Sequence, residues 1–71
     1  MMRDKILERY YVCHAKLFAL LGKEHPFISH VENDIAKMES GYWKRVSVSC
    51  LERRINWLER TYVTLERAFR R

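Results

Sequence analysis

Arginine side chains recur at seven-residue intervals near the C-terminal end of the chain, as Arg53, Arg60 and Arg67. Each follows a leucine and a glutamate, so the tripeptide Leu-Glu-Arg occurs there three times in one phase. A guanidinium group presents a planar fork of donors that matches carboxylates and phosphates, and it also stacks on aromatic rings. Trp57 lies within this set, between Arg53 and Arg60. The pattern therefore predicts a surface that binds a macromolecule through charge and aromatic contact.

The positive charge of the chain is confined to its C-terminal part. Residues 1–43 contain six basic and six acidic side chains, whereas residues 44–71 contain eight basic and three acidic ones. The second segment therefore carries the whole net charge of +5. We expect the binding surface to include the flanking arginines as well as the repeat. Its predicted members are Arg53, Trp57, Arg60, Arg67, Arg54, Arg70 and Arg71.

Two residues with reactive side chains, Cys13 and His14, are adjacent in the sequence. Neighbouring side chains on a helix point to different sides, so this pair is not placed as a nucleophile and its base. The chain also has no glycine-rich phosphate loop. We therefore predict that the protein is not an enzyme. His14 is expected to be partly buried and hydrogen-bonded to Tyr11 or to a backbone carbonyl of another helix.

The thiol and imidazole groups are not spaced as the ligands of a metal ion. The sequence has no Cys-x-x-Cys motif, and no two histidines lie four residues apart. We therefore expect no metal and no other cofactor. Cys13 and Cys50 are expected to be free thiols in a reducing compartment.

The length of the chain indicates one small domain that covers residues 1–71. The N-terminal residues do not resemble a signal peptide, and the longest strongly apolar run, residues 17–21, is too short for a membrane span. We therefore expect a cytoplasmic protein. A domain of this size buries only about 60% of its unfolded surface, so self-association is expected to add stability.

The binding surface must be positioned by helices, because apolar residues recur at helical spacing and glycine and proline are rare. A first helix is predicted over about residues 4–21, from Asp4 as its cap to the stop at Gly22. Its apolar arc is wide enough to contact two neighbouring helices. The predicted core-facing row is Leu7, Tyr11, His14, Phe18 and Leu21.

A second helix is predicted over about residues 26–40. Pro26 can open this helix, although the capping box of Ser29 and Glu32 would start it at Ser29 instead. Gly41 is suited to the left-handed conformation that ends a helix.

The third helix is the longest, and it is predicted over about residues 43–69. Its core-facing row is Val48, Leu51, Ile55, Leu58, Tyr62, Leu65 and Phe69. In this phase the arginines of the repeat point away from the core, and the glutamates lie at its edge, where they can pair with another helix. Residues 42–48 could instead form an ordered connector, with Ser49 and Glu52 as a capping box, but Gly41 is the stronger break.

Together these elements predict an all-α fold, a small three-helix bundle of up-down-up topology with a long C-terminal helix. The predicted function is that of a protein–protein interaction module of the adaptor, chaperone or inhibitor type, which binds another protein or a second copy of itself. The alternative is a nucleic-acid-binding protein that contacts phosphates non-specifically through the same basic face.

Overall fold

The computed structural model describes residues 2–69, so Arg70 and Arg71 of the predicted binding surface lie outside the described residues. Residues 2–69 contain three helices and no strand: α1 (Met2–Leu21), α2 (Pro26–Glu39) and α3 (Val48–Phe69). The helices pack together, which confirms the predicted all-α three-helix bundle. Within the described part of the chain, no helix is both long and apolar enough to cross a membrane.

The first helix is the central element of the bundle. It packs directly on both α2 and α3, as its wide apolar arc predicted, whereas α2 and α3 stand further apart and meet through long side chains. Tyr11 bonds to Glu39 and His14 contacts Glu32, so α1 and α2 are antiparallel. Arg9 of α1 pairs with Glu59 of α3, and Lys16 lies over the Tyr62 ring. Residue numbers therefore rise in the same direction along both helices, and α1 and α3 are parallel. The topology is therefore up-down-up.

The turn between α1 and α2 is made by Gly22 and His25. Gly22 has a φ of +86°, and its N–H donates to the Phe18 carbonyl at 2.9 Å, which ends α1. At the start of α2, the Phe27 N–H donates to Nδ1 of His25 at 3.1 Å. The helix therefore begins at Pro26 and not at the capping box further along the chain.

The third helix begins at Val48, so the prediction that it starts near residue 43 is wrong. Its N-cap is Ser47, whose hydroxyl accepts a hydrogen bond from the Cys50 N–H at 3.2 Å. The Ser47 carbonyl accepts the first helical bond, from the Leu51 N–H at 3.2 Å. The alternative of an ordered connector is closer to the structure, although Ser47 rather than Ser49 provides the cap.

The connector, residues 40–47, is held by the first turn of α1. Nη1 of Arg3 donates to the Trp43 carbonyl at 3.2 Å, and Nη2 donates to the Val46 carbonyl. The Trp43 N–H donates to the Lys37 carbonyl at 3.3 Å, and Gly41 has the left-handed φ of +77° that its position predicted. Arg3 therefore ties the connector to α1, and the helical hydrogen bonds of α3 begin at the Ser47 carbonyl.

The core contains apolar side chains from all three helices. On α3, Leu51, Ile55 and Leu58 are fully buried, which confirms the predicted phase of the repeat, whereas Phe69 at the end of the predicted row is 57% exposed. On α1, the predicted row is wrong by one position, because Tyr11 and Phe18 are exposed. The buried residues of α1 are Ile6, Tyr10, Cys13 and Leu17. Those of α2 are Ile28, Val31 and Ile35.

Candidate macromolecule-binding face

A cleft of about 320 Å³ opens between α2 and α3, at the place where these helices stand apart. Its lining residues are His30, Asp34, Arg53, Arg54, Trp57 and Leu58. We call it the α2–α3 cleft. Its walls combine positive charge with aromatic and aliphatic surface, and three of the predicted binding residues, Arg53, Arg54 and Trp57, contribute to them.

Asp34 forms the floor of this cleft and is only 2% exposed. Nη2 of Arg54 donates to both of its carboxylate oxygens, at 3.1 Å and 3.0 Å, and the Tyr10 hydroxyl donates to Oδ2 at 3.2 Å. Burial, with the neighbouring Asp34 carboxylate, raises the pKa of Tyr10 to about 12. Asp34 therefore has the hydrogen bonds that a buried carboxylate requires, and these bonds join all three helices.

Among the predicted binding residues, Arg54 makes the most extensive contacts with the rest of the bundle. Besides its bonds to Asp34, its guanidinium carbon lies 4.8 Å from the centre of the Trp43 ring. The ammonium of Lys37 lies 5.3 Å from the same ring. Arg54 thus fastens the connector and α2 to α3, and its position in the cleft wall is fixed by these contacts.

Trp57 projects from α3 at the rim of the cleft and is 53% exposed. The Phe27 ring packs against it edge to face, with 5.9 Å between ring centres. Phe27 also lies 6.3 Å from the His30 ring, so α2 contributes two of the three aromatic groups. This contact supports one side of Trp57 and leaves about half of its surface open to solvent.

Arg53, Arg60 and Arg67 are all exposed on α3, on the side turned away from the core. No hydrogen bond or ion pair among residues 3–69 uses their side chains. With Trp57 they form what we call the Arg/Trp face. Its arginines are not neutralised by acids of the described chain, so the face has a net positive charge next to an open aromatic ring.

Two glutamates of the repeat, Glu59 and Glu66, are engaged at the edge of the core, and Glu59 pairs with another helix as its phase indicated. Glu59 forms a forked ion pair with Arg9 of α1, with distances of 3.0 Å from Nε and 2.6 Å from Nη2. Arg9 also donates to the Asn56 side chain at 2.7 Å. The hydrogen bond from Arg9 lowers the pKa of Glu59. Glu66 accepts from the Tyr62 hydroxyl at 2.8 Å.

The polar residues of α1 contact carboxylates on α2. His14 is partly buried, as expected, but its partner is the Glu32 carboxylate, at 3.0 Å from Nε2, and not Tyr11 or a backbone carbonyl. Tyr11 donates to Glu39 instead. In residues 3–69 no three groups of the types His, Cys, Asp and Glu converge to hold a metal ion. Cys13 is buried and Cys50 is exposed, and both are free thiols.

The cluster of Asp34, Tyr10 and Arg54 is absent from the predicted site as a unit, since only Arg54 was among its predicted residues. A signal for it was present, because Asp34 lies three residues after Val31 and next to Ile35, on the apolar side of the second helix. An acid in that position must find a partner when the helix packs. The identity of the partner depends on the distance between α2 and α3, which local sequence does not encode.

Comparison with known protein families, with curated proteins and with solved structures found no match to this chain. The chemistry of the site must therefore be inferred from its geometry. Unneutralised arginines, an exposed tryptophan with one supported side and an adjoining cleft are suited to an acidic ligand that also carries apolar or planar groups.

Proposed function

We propose that the protein is a cytoplasmic, non-enzymatic interaction module that binds an acidic segment of another protein. The binding surface is the Arg/Trp face together with the α2–α3 cleft. The observation that supports this proposal is the set Arg53, Arg60 and Arg67, which has no acidic partner in the described chain and lies beside the half-exposed Trp57.

Trp57 is the residue of this surface expected to contribute most to the free energy of binding. Tryptophan and arginine contribute most to binding when they lie near the centre of an interface and lose water on contact. Phe27 already supports the Trp57 ring, so the ring loses less conformational freedom on binding than an isolated side chain would. The cleft beside it, of about 320 Å³, is large enough for an apolar side chain of the partner.

The arginines around this anchor have two different roles in the proposal. Arg53, at the cleft wall, and Arg60, one heptad further along α3, would pair with carboxylates of the partner. Arg54 would act as a positioning residue, because its guanidinium is already bonded to Asp34. Arg67 extends the charged row, and Arg70 and Arg71 follow it in the sequence as flanking charge.

Non-specific nucleic-acid binding is the second candidate, and a separate observation favours it. Tyr42, Lys44 and Arg45 are exposed on the connector, and Trp57 is exposed on α3. Aromatic rings stack on unpaired bases while basic groups neutralise phosphates, which is how single strands are bound without sequence preference. Such binding would weaken steeply as salt is added.

Selection of peptides from a random display library against the whole chain tests the main proposal. The selected peptides are expected to be rich in Asp and Glu and to contain apolar anchors. Their affinity should fall at least tenfold with Trp57→Ala and with Arg60→Glu. Lys23→Glu, an equal charge reversal at an exposed position outside the face, should have little effect.

Two results would contradict the proposal. One is the selection of neutral or basic peptides, and the other is equal sensitivity of binding to Arg60→Glu and Lys23→Glu. A labelled single-stranded oligonucleotide, titrated at several salt concentrations, tests the second candidate with the same variants. Tight binding of the oligonucleotide at low salt that Trp57→Ala abolishes would favour nucleic acid over protein as the partner.

A further inference from the structure

A second exposed surface lies on α1, away from the α2–α3 cleft. Val12 is 55% exposed there, and Val63 of α3 is 44% exposed. Both line a groove of about 440 Å³ between α1 and α3. Ala15 and Lys16 continue the exposed surface along α1, and Glu8 precedes Val12 by one helical turn. We call the set Glu8, Val12, Ala15, Lys16 and Val63 the Val12 face.

The charges of the Val12 face are mixed, whereas those of the Arg/Trp face are all positive. Arg9 and Glu59 neutralise each other in the forked ion pair at its edge. Lys16 lies 5.6 Å from the centre of the Tyr62 ring, which holds its ammonium over the groove. Glu8 is exposed, and no hydrogen bond or ion pair among residues 3–69 uses its carboxylate. Lys5 is also exposed and lines a groove with Glu8 and Val12, so the face carries apolar surface with a net charge of only +1.

The spacing of its two ionic residues is symmetric about Val12. Glu8 lies four residues before Val12 and Lys16 lies four residues after it. Within one helix these two charges are about 12 Å apart along the axis, which is too far for an ion pair. If a second α1 packs antiparallel with Val12 against Val12, each Glu8 lies beside the Lys16 of the other copy. A two-fold interface requires this kind of self-complementarity.

The side chains near the proposed crossing point allow two helices to approach. Ala15 and Ala19 are exposed and small, so they do not hold a neighbouring helix beyond the usual separation of about 8–10 Å. Val12 and Val63 provide apolar surface that would leave water on contact. The Arg/Trp face is a poorer surface for a second copy, because it would bring arginines against arginines.

We propose that two copies of the chain associate through the Val12 face, with their first helices antiparallel across a two-fold axis at Val12. Two reciprocal ion pairs between Glu8 of one copy and Lys16 of the other set the register. This interface goes beyond the proposed binding of an acidic partner and leaves Trp57 and the α2–α3 cleft of each copy free. It also supplies the extra burial that a domain of this length needs.

A charge-swap cycle tests the register. The native chain, Glu8→Lys, Lys16→Glu and the double variant Glu8→Lys/Lys16→Glu are compared by sedimentation equilibrium over a concentration series. The native chain is expected to form a dimer. Each single variant creates two pairs of like charges and should weaken the dimer by about tenfold, and the double variant should restore it. The double variant has the net charge of the native chain, so overall repulsion cannot explain a recovery.

Lys23→Glu is the matched control, because it makes the same charge change as Lys16→Glu at an exposed position outside the Val12 face. Circular dichroism of every variant checks that the helices remain folded. The proposal is overturned by a native chain that stays monomeric throughout the series. A dimer that both single variants leave intact overturns it as well, and so does a dimer that the double variant fails to restore.

Discussion

The third helix is joined to each of its two neighbours by one arginine–carboxylate pair, and the two pairs differ in burial. Arg54, whose side chain is 43% exposed, meets Asp34 of α2, whose side chain is 4% exposed, whereas Glu59 meets Arg9 of α1 with both side chains more than a third exposed. The pair with the buried acid uses the one carboxylate that lines the α2–α3 cleft and leaves the other arginines unneutralised. The exposed pair balances charge beside the Val12 face. The same pairing chemistry thus leaves one side of α3 basic and the other side nearly neutral.

The largest expected effect distinguishes the two pairs directly. Asp34→Ala leaves the buried Tyr10 hydroxyl without its acceptor, whereas the Arg54 side chain, 43% exposed, regains water, so the free energy of unfolding should fall by about 3 kcal/mol. Urea denaturation followed by circular dichroism measures the change. Glu32→Ala, which removes a more exposed carboxylate of α2, is the control. A loss below 1 kcal/mol for Asp34→Ala would mean that the burial of Asp34 does not make its pair more stabilising than the exposed pair.

High pH should act on the buried side of α1, at Cys13 and at Tyr10, whose hydroxyl donates to Asp34. Burial raises the pKa of Cys13 from 9.0 to about 11, and that of Tyr10 from 10.0 to about 12. Because both pKa values are raised on folding, the stability that these neutral groups contribute is present below pH 9 and is lost as the pH rises towards 12. The loss from Cys13 should be about 3 kcal/mol.

Chemical denaturation at a series of pH values between 8 and about 12 measures this loss. Cys13→Ala should remove the part that develops between pH 9 and about 11 and retain the part due to Tyr10. An identical pH profile for the native chain and Cys13→Ala would assign the alkaline loss to other groups.

Removal of the Trp57 side chain should weaken peptide binding more than it lowers the stability of the fold. Trp57→Ala is expected to weaken binding of a selected acidic peptide by about 2 kcal/mol and to change the free energy of unfolding by less than that, since half of the ring is already in water. Phe18→Ala makes a comparable truncation of an exposed aromatic residue on α1, outside the Arg/Trp face, and should leave peptide binding unchanged. Fluorescence anisotropy of the labelled peptide gives both affinities. Equal losses of affinity in Trp57→Ala and in the control variant would show that the peptide does not bind at Trp57.

The smallest effect is expected from the exposed pair. Glu59→Gln should cost only about 0.5 kcal/mol, because an ion pair in contact with water contributes little. Arg9 lowers the pKa of Glu59, so the contribution of the pair is present above the ordinary glutamate pKa of 4.5 and disappears as the pH falls below it. The native chain and Glu59→Gln should therefore approach the same stability in acid. A constant difference between them down to low pH would contradict this assignment.

The sequence predicted the elements that are specified locally. The phase of α3 could be read because its leucines recur every heptad and its arginines occupy the opposite side. The phase of α1 could not, because both its buried row and the neighbouring row with Tyr11 and Phe18 contain large apolar residues. Only the presence of two neighbouring helices determines which row is covered.

The candidate site was predictable in its charge and not in its architecture. The outward position of Arg53 and Arg60 follows from the repeat, whereas the α2–α3 cleft depends on Asp34 and Arg54, which are 20 residues apart in the sequence. The connector is similarly determined at long range. Arg3 donates a hydrogen bond to the carbonyl of Trp43, 40 residues away in the sequence, and no pattern within residues 40–47 predicts that contact.

The distances along the sequence between the contacting residues have a consequence for the order in which the chain folds. The pairing of α1 with α2 joins segments that are close in sequence, whereas Arg9 and Glu59 are 50 residues apart. Local contacts form faster than distant ones, so the hairpin of α1 and α2 is expected to assemble first and to provide the surface on which α3 docks. During synthesis the last helix would therefore join a template that the first residues of the chain have already built.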